Sequence, residues 1–170
     1  MISEIRVYYE GHRLLKSGFD AFFKELRTRA LEKRCRFRLI ASGSGAAACH
    51  DFGTAVLANR DAWNEVLGAP APEPDEMMEA WFHADTDALE RFYRSGFNRA
   101  ALKANPNIEQ IPKNLERGLS AATKNCLKGD YFDNKTAHGP RLLESIDPHL
   151  VRKAAPTCQR LFQAVLAGLA

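Results

Sequence analysis

Residues 2–11 read Ile2-Ser3-Glu4-Ile5-Arg6-Val7-Tyr8-Tyr9-Glu10-Gly11. Their isoleucine, valine and tyrosine content predicts a short buried strand over residues 2–9. Glu10 then stands at the carboxyl end of a first strand, where open α/β sheets place their ligand chemistry, and Gly11 permits a sharp turn there. Moving outward, Phe19, Phe22, Phe23, Leu26 and Ala30 recur at three- and four-residue steps, the signature of an amphipathic helix. Phe37-Arg38-Leu39-Ile40-Ala41 predicts a second strand, and Ser42-Gly43-Ser44-Gly45 then opens a helix with Phe52 and Val56 on its apolar face. Residues 1–68 therefore read β-α-β-α, the pattern of a parallel sheet with right-handed crossovers.

Three prolines in Ala69-Pro70-Ala71-Pro72-Glu73-Pro74 remove amide donors and fix φ, so residues 69–76 are expected to be a linker. Residues 77–170 are expected to be mostly helical, within one domain spanning 1–170. Asp85-Thr86-Asp87 begins a helix carrying Leu89, Phe92 and Tyr93. Carboxylates at such a start accept from free amides and favour the macrodipole, so Asp85 and Asp87 are read as caps rather than as a metal pair. Pro106 and Pro112 bracket an extended connection. Leu115, Leu119 and Ala122 give a helix, and Leu142, Leu143 and Ile146 a short one. Asp147-Pro148 fits an N-cap followed by proline at the first helical position. A final helix carries Leu161, Phe162, Val165 and Leu169.

The chain has 170 residues, 45% of them hydrophobic and 26% charged, which suits a globular domain able to bury a core without staples. A net charge of +3 does not announce nucleic-acid binding. The cluster Arg27, Arg29, Lys33, Arg34, Arg36 and Arg38 reads as a solvated helix end and loop, with phosphate contact the alternative. Cys35, Cys49, Cys126 and Cys158 show no C-x-x-C spacing and are expected to be small, buried, reduced residues. Together with the absence of a legible signal peptide or spanning segment, this leads to an expected cytoplasmic location and no membrane role.

Three further stretches carry candidate chemistry. Gly43-Ser44-Gly45-Ala46-Ala47-Ala48 fits a loose G-x-G-x-x-A between a strand and a helix. No acidic residue ends a strand about 20 residues later, as a dinucleotide site requires. Gly43, Ser44 and Gly45 are therefore read as a phosphate-facing turn. Met78-Glu79-Ala80-Trp81-Phe82-His83-Ala84-Asp85 is a rare Trp-containing string, with Glu79 expected near a strand end. Lys128-Gly129-Asp130-Tyr131, followed by Lys135-Thr136-Ala137-His138, offers a lysine and a histidine able to contact a phosphate. The same stretch also reads as a surface turn with Gly129 in the left-handed region.

Residues 5–11, 78–85 and 128–138 resemble a bacterial, Toprim-like family, "domain of unknown function 4276". The resemblance implies an α/β fold of the Toprim type, a small parallel sheet with helices on both faces and a helical C-terminal portion. It implies a divalent metal, Mg²⁺ or Mn²⁺, on Glu10 and Glu79, with Lys135 and His138 among the catalytic residues and Gly11, Gly43, Ser44 and Gly45 binding the ligand. Glu79 has a second reading, as the partner of a base. The implied function is a nuclease-type subunit acting on nucleic acid with an ATPase of the chromosome-maintenance or anti-phage defence type. The alternative is a catalytically silent module of the same fold that docks on that ATPase; a dinucleotide enzyme built on Gly43–Gly45 is a third reading. The family's usual acidic string after a third strand is not found, and the loops near the site are short. Either this chain has lost its metal site, or segments are missing from the sequence.

Overall fold

A computed structural model of the chain describes residues 3–9, 13–41, 78–102, 107–108 and 116–170. Strand β1 (Glu4–Tyr9) is followed by a 3-10 turn (Arg13–Leu15), α1 (Lys16–Phe22), α2 (Lys24–Glu32) and β2 (Arg36–Ala41). The single amphipathic helix expected around Phe19–Ala30 is two helices in succession, meeting at Phe23, whose φ of −91° and ψ of 18° depart from α geometry. At the end of α2, Arg34 takes φ 54°, its N–H bonds to Leu31 O at 3.0 Å, and Cys35 N–H bonds to Ala30 O at 2.8 Å. These two bonds form a Schellman stop, which satisfies the last carbonyls and releases the chain into β2.

β1 and β2 pair in parallel, as the β-α-β pattern requires, with Ile5 opposite Phe37, Val7 opposite Leu39 and Tyr9 opposite Ala41. Side chains alternate across a strand, so Ile5, Val7, Phe37 and Leu39 share the face that joins the core. The opposite face carries Glu4, Arg6, Arg36 and Arg38, with Glu4 bridged to Arg6 at 2.8 Å and Arg38 at 2.9 Å. The expectation of helices on both faces is thus met on one face only among the described residues. The segments 10–12 and 42–77, which contain Glu10, Gly11, Gly43, Ser44, Gly45 and the 69–76 linker, lie outside the described residues, as do the junctions at which sequence would be missing.

The remaining elements are α3 (Met78–Phe82), α4 (Thr86–Tyr93), a 3-10 turn (Arg99–Ala101), α5 (Glu116–Thr123), α6 (Lys135–Ser145), α7 (Pro148–Ala154) and α8 (Pro156–Gly168). The fold is mixed α/β and mostly helical, with a small two-stranded parallel sheet. No described helix is long and apolar enough to cross a membrane.

Described residues from 3–41 and from 78–170 share one core. α1 lies against α6, and Gly18 permits that approach. A Cβ on Gly18 would stand 2.6 Å from Pro140 O and 2.7 Å from Leu143 Cβ, closer than real contacts allow. Trp81 of α3 stacks on Phe22 of α1 at 4.8 Å, and Phe162 of α8 meets Phe22 at 6.1 Å and Phe23 at 5.7 Å. Fully burying each such ring stabilises by about 1.5–3 kcal/mol, and the pair geometry adds about 0.5–1.5 kcal/mol. Cys35, Cys126 and Cys158 are buried, as expected of small apolar residues.

The helix starts are tied together by one buried carboxylate. Asp85 Oδ1 accepts from Ala88 N–H at 2.9 Å, capping α4 as the sequence predicts, and Oδ2 accepts from Asp147 N–H at 2.9 Å. Asp147 in turn caps α7 through His149 N–H at 2.8 Å, with Pro148 at the first helical position. Asp85→Ala is expected to cost about 2–4 kcal/mol, a lost cap plus an unsatisfied N–H at Asp147. Asp87→Ala removes only the exposed bridge to Arg99 and is expected to cost under about 1 kcal/mol. Urea unfolding of the two variants checks the contrast; equal midpoints would contradict it.

Candidate functional site

The site forms where α3 and α4 meet α6. Thr123, fully buried at the end of α5, donates through Oγ1 to Leu119 O and accepts Tyr131 N–H, each at 2.9 Å. That bond sets Tyr131 at the head of a tight turn. Gly129 takes φ 85°, the left-handed conformation anticipated for a surface turn here. Asp130 Oδ1 accepts Phe132 N–H at 2.8 Å, and Oδ2 accepts the Ser120 hydroxyl at 2.5 Å. The turn delivers the chain to Lys135, the first residue of α6.

Lys135 Nζ lies 2.5 Å from Glu79 Oε1, and the Tyr131 hydroxyl donates to the same oxygen at 3.3 Å. Glu79 is 5% exposed, so its carboxylate is paired inside the protein while Lys135 stays half-exposed. Glu79 was expected near a strand end, and the residues that would form that strand, before Met78, lie outside the described ones. Met78–Phe82 is a helix, which turns Trp81 into the core and Glu79 toward α6. Of the two readings of Glu79, partner of a base or metal-proximal acid, the geometry supplies the first. An ammonium and a phenol share Oε1. Among the described residues no group of three or more histidine, cysteine or acidic side chains is placed to hold a metal ion.

His138 lies three residues beyond Lys135 on the same helix and is 8% exposed. Its Nδ1 stands 3.0 Å from the Tyr93 hydroxyl, and its ring meets Phe92 and Tyr93 edge-on at 5.3 and 5.4 Å. Burial raises the Tyr93 hydroxyl well above the ordinary tyrosine range, with Cys126 and Asp130 adding to the effect. Burial also lowers His138, and Lys128 and Arg141 push it further in the same direction. A phenol that stays protonated beside a neutral imidazole satisfies both groups when Tyr93 donates to Nδ1, which leaves the His138 proton on Nε2. Lys128 Nζ sits 3.8 Å from the Phe92 ring centroid, close enough for a cation–π contact.

Two of the residues singled out from sequence, Glu79 and Lys135, are therefore bonded to each other, and His138 shares their helix. Glu10, Gly11, Gly43, Ser44 and Gly45 fall outside the described residues. Tyr93 and Tyr131 were missed as polar members of the site. They meet their partners across 45 and 52 residues of sequence, a separation no local motif records.

Two outcomes follow. Lys135→Met strands the Glu79 carboxylate and is expected to cost about 2–3 kcal/mol, more than Glu79→Gln, which leaves Lys135 free to reach water. Denaturant unfolding of both variants checks the order, and the reverse order would contradict the assignment. The second concerns pH. His138 titrates below its ordinary value near 6.5, and burial lowers His83 as well, so the unfolded chain binds more protons than the native one. Stability is thus full above pH 6.5 and falls as pH drops below it toward 5. His138→Asn is expected to flatten part of that slope in unfolding series between pH 8 and 5; an unchanged slope would show that His138 does not contribute.

The family model described as Domain of unknown function (DUF4276) matches residues 74–166, more than half of the chain and all of α3 to α7. No curated protein and no solved structure matches the chain. The matched span contains Glu79, Tyr93, Tyr131, Lys135 and His138, and the chain belongs to this family, Domain of unknown function (DUF4276).

Proposed function

We propose that this chain is a Toprim-like, nuclease-type subunit that acts on nucleic acid together with a partner ATPase of the chromosome-maintenance or anti-phage defence type. The observation that carries this reading is the parallel register of β1 and β2. Tyr9 pairs with Ala41, so both strands end at one edge of the sheet. Glu10-Gly11 and Ser42-Gly43-Ser44-Gly45 are the next residues in sequence after those two ends. Carboxyl ends of parallel strands are where open α/β sheets bind ligands, and an acid following one such end with a glycine-rich stretch following the other suits a phosphodiester. Glu10 would hold the Mg²⁺ or Mn²⁺ that the resemblance implies, and Glu79 is assigned to Lys135 instead. Such an ion supplies charge neutralisation at the phosphoryl oxygens and a more acidic water.

A second reading, a catalytically silent module that docks on the ATPase, is favoured by a different observation. Glu79 and His138 are each engaged by a neighbouring side chain within the fold. Cleavage of DNA and RNA by the protein with its ATPase, in Mg²⁺ and in Mn²⁺, separates the two. The nuclease reading expects cleavage by wild type and a loss of at least about a hundredfold in Glu10→Ala. Equal cleavage by both proteins would remove Glu10 from the mechanism. Absence of cleavage by either protein, with ATPase binding retained, would establish the silent module.

A further inference from the structure

We infer that the surface of α6 around His138 binds a phosphate group, presented as a phosphodiester, between Lys128 and Arg141. This deepens the proposed function by naming a substrate contact away from the sheet edge. Tyr93 holds His138 at Nδ1, and with the phenol donating there the imidazole proton lies on Nε2, on the other side of the ring. Nε2 has no protein partner among the described residues, and it is not one of the sealed, unpartnered polar atoms, so this donor reaches the surface.

Cations flank it from two elements. Lys128, in the turn before α6, rests over the Phe92 ring that also meets the His138 edge. Arg141 follows His138 by three residues on α6, so the two share a helix face. Both act electrostatically on the imidazole. Neither has a carboxylate within ion-pair distance among the described residues. Asp130 is committed to Ser120 and Phe132 N–H, Glu79 to Lys135, and Asp87 and Glu90 to Arg99, while Glu144, three residues beyond Arg141 on α6, is exposed and makes no ion pair with it. A fixed N–H donor set between two cations suits an oxyanion, which accepts the hydrogen bond and neutralises the local charge.

The test is the His138 imidazole titration followed by NMR in the intact protein, assigned by the signal that vanishes in His138→Asn. Inorganic phosphate is compared with chloride at matched ionic strength, then with a nucleoside monophosphate and a short single-stranded oligonucleotide. Phosphate and the oligonucleotide are each expected to raise the His138 pKa by about one unit, since a bound anion favours the imidazolium. Lys128→Gln with Arg141→Gln, at two exposed positions, is expected to abolish that rise while circular dichroism stays unchanged. No rise with any anion overturns the site, as does a rise that persists in the double variant. A rise with phosphate and monophosphate but none with the oligonucleotide overturns the phosphodiester assignment. None of these readouts involves cleavage, so failure here is distinguishable from failure of the nuclease reading at Glu10.

Discussion

The carboxylate of Asp85 is the contact on which the helical half depends. It is buried, and each of its oxygens accepts a backbone N–H, one from the first turn of α4 and one from the residue that caps α7. Hydrogen bonds from amides to an ionised carboxylate are about twice as strong as neutral ones. These two also fix directions. α4 must leave Asp85 toward Tyr93, and the chain leaving α6 must pass Asp85 before α7 can begin.

The short helix α3 then divides its side chains between two neighbourhoods. Trp81 stacks on Phe22 and meets Phe19 edge-on, joining the helix to the β-α-β portion. Phe82 packs against Tyr131 at 5.8 Å, and Glu79 pairs with Lys135, joining it to α6. A helix this short is not stable alone, so its conformation is imposed by those contacts. The Glu79–Lys135 pair and the aromatic seam are consequently parts of one construction. Displacing Trp81 would shift the Glu79 carboxylate as well.

Several polar groups inside this core are tightly assigned. Tyr131 gives its amide to Thr123 and its hydroxyl to Glu79, and Tyr93 gives its hydroxyl to His138. Each bond spares a buried group the cost of desolvation, and together they select one arrangement of α3, α4, α5 and α6. The same assignments leave His138 Nε2 without a partner among the described residues, and Lys128 is exposed. Structure and recognition are thus linked by which atoms the core has already used.

The sequence by itself determined the features that arise from local chemistry. Apolar and β-branched content predicted β1 and β2, the helix between them their parallel order, Asp85 and Asp147 announced their caps, and Gly129 announced its left-handed turn. Each of these depends on neighbours within a few residues. Only the tertiary structure decided that Met78–Phe82 is a helix, that Glu79 belongs to Lys135 and Tyr131, and that Tyr93 holds His138. Local pattern was silent on these because the partners lie 45 to 56 residues apart, the longest span being from Glu79 to Lys135 (135 − 79 = 56). An ion pair or a buried hydroxyl leaves no periodic trace in a chain. It is fixed only when packing brings the two side chains together and removes the water that would otherwise satisfy them.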